Sequence, residues 1–224
     1  STSVFTNNLV LTGQFDAGSA GGAILLEDCF ASSIKTSKFF NNGAAGYVGF
    51  SSFASSGAAG GVMLKFSSAI IDDCYFKENW VSVGGTKLSS GGAVAIYFDY
   101  SSGGKKIGPG VTIENTEFEE NIAFSSICSN TGSKSGSGGA IAIIGSAYPG
   151  VHMKKVILRK NYAMSRQGIL VLSYGGGLVV SVGSNVTGEA VTFESNFAVN
   201  GLGNDISVLG GDASSSDNDV NFAN

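Results

Sequence analysis

One frame recurs along the chain, a Phe or Leu three positions before an asparagine, and six of its occurrences align as repeats. The pairs are Phe5/Asn8, Phe39/Asn42, Phe76/Asn79, Phe118/Asn121, Leu158/Asn161 and Phe193/Asn196. Five residues before the Phe or Leu stand Ile34, Ile71, Ile113, Met153 and Gly188, and two before it stand Ser37, Cys74, Thr116, Val156 and Val191. Offsets of −5, −2 and 0 are not a strict alternation, so the pattern predicts a bend between the first two positions and a short strand after it, with these residues facing inward.

A second element precedes the first: a glycine pair opening an apolar, partly β-branched run. It reads GGAILL at Gly21, GGVMLKF at Gly60, GGAVAIYF at Gly91, GGAIAII at Gly138 and GGGLVVSV at Gly175, with a last version, GNDISVL, at Gly203. Glycine before such a run predicts a tight corner leading into a strand. Successive glycine pairs lie 31 to 47 residues apart. The spare length is Ser/Gly-rich, as expected of loops on a solenoid.

Charged residues between the apolar positions order themselves once the repeats are aligned. One residue after the Phe or Leu the column reads Phe40, Lys77, Glu119, Arg159, Glu194, alternating in sign from Lys77 onward. Neighbouring columns hold Glu78, Glu120 and Lys160, and Lys35, Asp72, Glu114, Lys154 and Glu189. In stacked parallel strands such neighbours lie ~4.8 Å apart and opposite charges attract. The expected fold is therefore an all-β, right-handed parallel β-helix of about six coils with Ser/Gly-rich loop insertions, forming a single domain over residues 1–224. Each Phe stacks on the next coil's Phe, and each Asn, at a corner where its tolerance of left-handed angles helps, bonds to its own or the adjacent coil in an amide ladder.

Composition narrows the reading. Only 13% of the 224 residues are charged while 34 are glycine, unlike a helical protein with Glu/Lys-rich faces. A net charge of −4 without a basic block argues against nucleic acid as partner. No apolar run is long enough to span a bilayer, and STSVFTNN is not a signal peptide. Cys29, Cys74 and Cys128 have no metal-like spacing, and their odd number does not indicate a disulfide framework. Asn185-Val186-Thr187 is a lone sequon.

The joint occurrence of Gly-Gly-Ala-Ile (Gly21–Ile24, Gly138–Ile141), Gly-Gly-Ala-Val (Gly91–Val94) and six Phe-x-x-Asn-type frames resembles the passenger region of the chlamydial polymorphic outer membrane proteins over essentially the whole chain. The resemblance implies a right-handed parallel β-helix displayed on a cell surface, often adhesive. That family exports itself through a C-terminal barrel; no barrel-like alternation follows residue 200, so self-export is not carried over.

Parallel β-helices also house polysaccharide lyases and glycoside hydrolases, which makes a carbohydrate-active enzyme the alternative. Asp72-Asp73 resembles an acid pair, but Asp72 belongs to a charge column and adjacent strand residues diverge. His152, the only histidine, reads as a solvated strand-edge residue. Glu117, Glu119 and Glu120 are the densest acidic group and lack calcium-loop spacing, and Gly210–Asp219 reads as a solvated turn. Cys74 falls in an inward column and reads as an inert buried thiol. No catalytic, cofactor-binding or metal-binding residue is expected, and no cofactor. The expected function is a non-catalytic structural or adhesion module, extracellular or at the cell surface, binding a protein or glycan ligand through its loops. Because the chain starts and stops within a coil, it is expected to be a segment of a longer repeat protein, or to meet a partner or another copy at its open ends.

Overall fold

A computed structural model describes residues 2–12, 20–47, 57–84, 89–98, 110–125, 137–144, 150–165, 175–180, 184–199, 203–208 and 219–223. These residues form strands of two to five residues and no helix. The strands assemble into five parallel sheets, four of six strands and one of four. One central coil shows the order: Ala69–Asp72 in the first sheet, Tyr75–Lys77 in the second, Trp80–Gly84 in the third, Ser89–Gly91 in the short fourth and Val94–Tyr97 in the fifth. The next coil repeats it, so each strand pairs with its equivalent one coil away. The chain is a parallel β-helix of about six coils.

Register follows the Phe-x-x-Asn alignment. In the second sheet Phe5, Phe39, Phe76, Phe118, Leu158 and Phe193 are successive partners. In the first sheet Ile34, Ile71, Ile113, Met153 and Gly188 are. Phe39, Phe76, Phe118 and Leu158 are completely buried, and the rings from Phe5 to Phe118 stack at centroid spacings of 4.8, 4.5 and 4.9 Å. Apolar residues of the fifth sheet, among them Leu64, Ile96 and Ile143, close the same core from the opposite side.

The bend inside the Phe repeat is a single left-handed residue. Thr36, Asp73, Asn115, Lys155 and Ala190, three before the Phe or Leu, have φ between 47° and 53°. The small residue that follows closes the corner: Ser37 Oγ, Thr116 Oγ1 and Cys74 Sγ each donate to the carbonyl two residues back, at 2.7, 2.6 and 3.3 Å. A second left-handed corner follows the strand, and here the structure corrects the sequence reading. The positive φ belongs not to the ladder asparagine but to the residue before it, Asn7, Asn41, Glu78, Glu120, Lys160 or Ser195 (51° for Lys160, 56° for Glu78). With the turn made one residue earlier, the asparagine is left free to point inward.

The glycine pairs also need one correction. Val62 pairs with Ile24 and Val94, which aligns Gly60 with Gly22 and Gly92, the second glycine of each pair, and puts Ala59 where the others have the first. The second glycine is required by contact between coils: a Cβ on Gly92 would lie 2.0 Å from the carbonyl oxygen of Gly139, and one on Gly139 1.9 Å from that of Gly176. Much of the Ser/Gly-rich loop sequence, with Cys128 and the stretch 210–218, lies outside the described residues.

Candidate functional site

The most regular polar feature is the asparagine column. Asn42, Asn79, Asn121 and Asn161 are fully buried and Asn196 is 4% exposed. Each of the first four donates its side-chain amide both to the next asparagine's Oδ1 and to the carbonyl of the Phe one coil back, as Asn79 does to Asn121 Oδ1 (3.0 Å) and Phe39 O (2.9 Å). Its backbone N–H goes to that same Oδ1, at 3.0 Å for Asn79. At one end Asn8 donates to Asn42 Oδ1 at 2.8 Å. At the other, Asn196 Nδ2 donates to Asp205 Oδ1 at 3.0 Å, so a carboxylate replaces the next amide oxygen. Sequence reasoning missed that role of Asp205; its position two residues into the last glycine motif, GND, was the available signal. These side chains satisfy one another and are structural.

On the outer face of the second sheet, Glu119 lies between Lys77 and Arg159 in register. Its Oε2 is 3.6 Å from Lys77 Nζ and 3.2 Å from Arg159 Nη2, and accepts the Tyr75 hydroxyl. Arg159 also meets Glu117 at 2.6 Å, and Lys77 meets Glu120 at 3.4 Å. The hydrogen bond from Tyr75, helped by Arg159 and Lys77, holds the Glu119 carboxyl below the usual carboxylate range against the effect of its burial. Burial, then the Glu119 hydrogen bond and charge, pushes the Tyr75 phenol up to about 12. An acid held ionised by two cations and a phenol is a neutralised network, unlike a hydrolase's general acid, whose carboxyl is kept protonated.

The remaining candidates are dispersed. Asp72 faces out and accepts from Asn115 Nδ2 at 2.9 Å, while Asp73 is the left-handed corner residue. His152 is exposed within a strand between Thr112 and Thr187, not at an edge, and its Nδ1 lies 3.0 Å from Thr187 Oγ1. Cys74 is 4% exposed and unpaired, and burial pushes its thiol up, away from the reactive thiolate. Among the described residues, no group of three or more His, Cys, Asp or Glu is placed to hold a metal ion, and no helix is long and apolar enough to cross a membrane.

The third sheet is different. Its inward column is small: Val10, Ala44, Val81, Ala123, Ala163 and Ala198. Its outward columns carry no charged residue. One runs Leu9, Gly43, Trp80, Ile122, Tyr162, Phe197, and the other Leu11, Ala45, Ser82, Phe124, Met164. Leu9, Leu11, Tyr162 and Phe197 are 51%, 70%, 37% and 48% exposed, and Trp80 and Ile122 between them are half-buried, so the face presents apolar surface along its length. Trp80 lies along the sheet over Gly43, whose Cβ, were there one, would be 2.3 Å from the indole Cε2. Alongside runs a polar rim: the left-handed corner residues Asn41, Glu78, Glu120, Lys160 and Ser195 each stand two positions before a residue of the first column. Sequence reasoning overlooked this face. The signal was three consecutive uncharged positions after each ladder Asn, with Val or Ala in the middle.

No family model, curated protein or solved structure matches the chain.

Proposed function

We propose that the chain is a non-catalytic structural and adhesion module of an extracellular or cell-surface β-helix, which uses its solenoid as a rigid scaffold and binds through exposed surface. One observation carries this reading: the Lys77–Glu119–Arg159 network spends its ionisable groups on its own neighbours, whereas the outer face of the third sheet leaves a file of aromatic and aliphatic side chains without such partners. A scaffold that stabilises itself and presents one uncharged face suits recognition better than acid–base chemistry.

The test is to incubate the fluorescently labelled folded chain with whole cells and with immobilised polysaccharides and extracellular-matrix proteins, assaying reducing ends in parallel. Saturable retention without new reducing ends is expected. Release of reducing ends would establish a glycoside hydrolase or lyase instead, and absence of saturable retention on every surface would remove the adhesive role.

A further inference from the structure

We propose that the outer face of the third sheet binds a linear, neutral, β-1,4-linked polysaccharide lying along the solenoid axis, with Trp80, Tyr162 and Phe197 as stacking platforms. This inference rests on the adhesive reading and names its ligand class.

Charge is the first argument. The outward columns of the first and second sheets contain Lys35, Asp72, Lys77, Glu119, Arg159 and Glu189, whereas the two outward columns of the third contain none of these types. The two columns themselves offer an ionic polymer no counter-charge, and an uncharged one needs none. The second is the amphipathic match. A β-linked pyranose with equatorial substituents has apolar C–H faces and a rim of hydroxyls. The exposed rings of Tyr162 and Phe197 and the half-buried ring of Trp80 accept the faces. The corner residues Glu78, Glu120 and Lys160, which flank the stripe along one side and whose ion pairs among the described residues are long, at 3.4 to 3.9 Å, supply donors and acceptors for the rim.

Spacing is the third. The stripe runs perpendicular to the strands, so its residues recur at each coil. The backbones of Trp80 and Tyr162 are two strands apart with Ile122 between them, and the Trp80 ring reaches one strand further, over Gly43, about 14 Å from the Tyr162 strand. Each step of ~4.8 Å from strand to strand is close to the rise of one residue of an extended β-1,4-linked chain. Phe197, the partner of Tyr162, carries the platform one coil further. The Trp80 indole occupies the space above Gly43, and a side chain at that glycine would displace the ring.

Trp80 is the only tryptophan in the chain, so its emission reports on the face directly. The folded chain is titrated with cellohexaose, and in parallel with chitohexaose, maltohexaose and an oligogalacturonate. A saturable change in emission is expected with at least one of the neutral β-1,4-linked oligomers and with neither the α-linked nor the charged one. Tyr162→Ser and Phe197→Ser should each weaken binding by roughly fivefold to tenfold. Ile70→Ser, which removes an apolar residue of similar exposure from the first sheet, should leave affinity unchanged.

The assignment is overturned if neither neutral β-1,4-linked oligomer gives a saturable signal, or if both third-sheet variants bind as the parent does. It is also overturned if sedimentation shows a dimer that Tyr162→Ser abolishes, which would give the face to a second copy. Retention on cells without oligosaccharide binding would remove the ligand class and leave the adhesive reading intact. Reducing ends released from cellohexaose would remove the non-catalytic reading and leave the ligand class standing.

Discussion

Asn121 donates both its backbone N–H and its side-chain amide to one oxygen, Oδ1 of Asn161, each at 3.0 Å. The same link recurs from Asn79 to Asn121 and from Asn161 to Asn196, so a buried file of amides ties coil to coil inside the hydrophobic core. Neither the strand pairing nor the ring stack supplies these bonds.

Replacing Asn121 by Ala should therefore cost more than an ordinary lost hydrogen bond. The backbone N–H and Nδ2 of Asn79 lose their acceptor and Phe76 O loses its donor, all in a region without solvent. The expected loss is about 3 kcal/mol. Asn115→Gly, at an exposed corner whose positive φ glycine adopts freely, should change stability by less than ~0.5 kcal/mol. Chemical denaturation of the two variants makes the comparison, and equal effects would contradict a ladder that supports the fold.

Phe118 stacks on Phe76 at 4.9 Å with 8° between ring planes and is fully buried. Phe118→Ala should destabilise by roughly 3–5 kcal/mol, whereas Phe118→Leu should cost about 1–2 kcal/mol, since the neighbouring coil already carries Leu158 in the same column. Thermal melts followed by far-ultraviolet circular dichroism give the ranking; a leucine variant as damaged as the alanine one would mean that ring stacking, not filled volume, holds the column.

What could be read from the sequence is what every coil must solve alike. Phe76 and Phe118 must fill the same layer, Asn79 and Asn121 must satisfy the same buried backbone groups, and Gly92 and Gly139 must let coils approach within the reach of a Cβ. Such constraints repeat in residue type. The left-handed corner before each ladder residue does not, because it is met by Asn41, Glu78, Glu120 and Lys160 alike at exposed or half-exposed positions where strain, not packing, is the only cost. The third-sheet face was illegible for another reason. Trp80-Val81-Ser82 and Tyr162-Ala163-Met164 carry no charge on either side of the sheet, so the period-two alternation that marks inside from outside is missing.

The Tyr75–Glu119 contact predicts opposite pH limits. Glu119 is held below the ordinary carboxylate range, so its stabilisation is complete above the unfolded value, near pH ~4.3, and is lost as pH falls through the lower folded value. Tyr75 is raised to about 12, so its contribution is complete below the ordinary phenol value of about 10 and is lost as pH rises between the two. Melting temperature against pH should accordingly fall less steeply on the acid side in Glu119→Gln and less steeply above pH ~10 in Tyr75→Phe. Parallel curves for the parent and both variants would show that the contact does not couple to folding.

The charge column offers the most demanding test of register. Glu119 has Lys77 as its partner in one neighbouring strand and Arg159 in the other. Glu119→Lys would place three cations in adjacent strands ~4.8 Å apart and leave the Tyr75 hydroxyl without its acceptor. The expected cost is ~1–2 kcal/mol at low salt, shrinking as added salt screens the repulsion. Adding Lys77→Glu to that variant restores alternation only in part, because the introduced lysine then meets the introduced glutamate on one side and still meets Arg159 on the other. Roughly half of the loss should return. Adding Lys155→Glu instead, at an exposed corner outside the column, should return little. Recovery of equal size from both second changes would mean that net charge, rather than coil-to-coil pairing, sets the effect. Because the swap can work only between residues one strand apart, its outcome reads the register in solution independently of any core substitution.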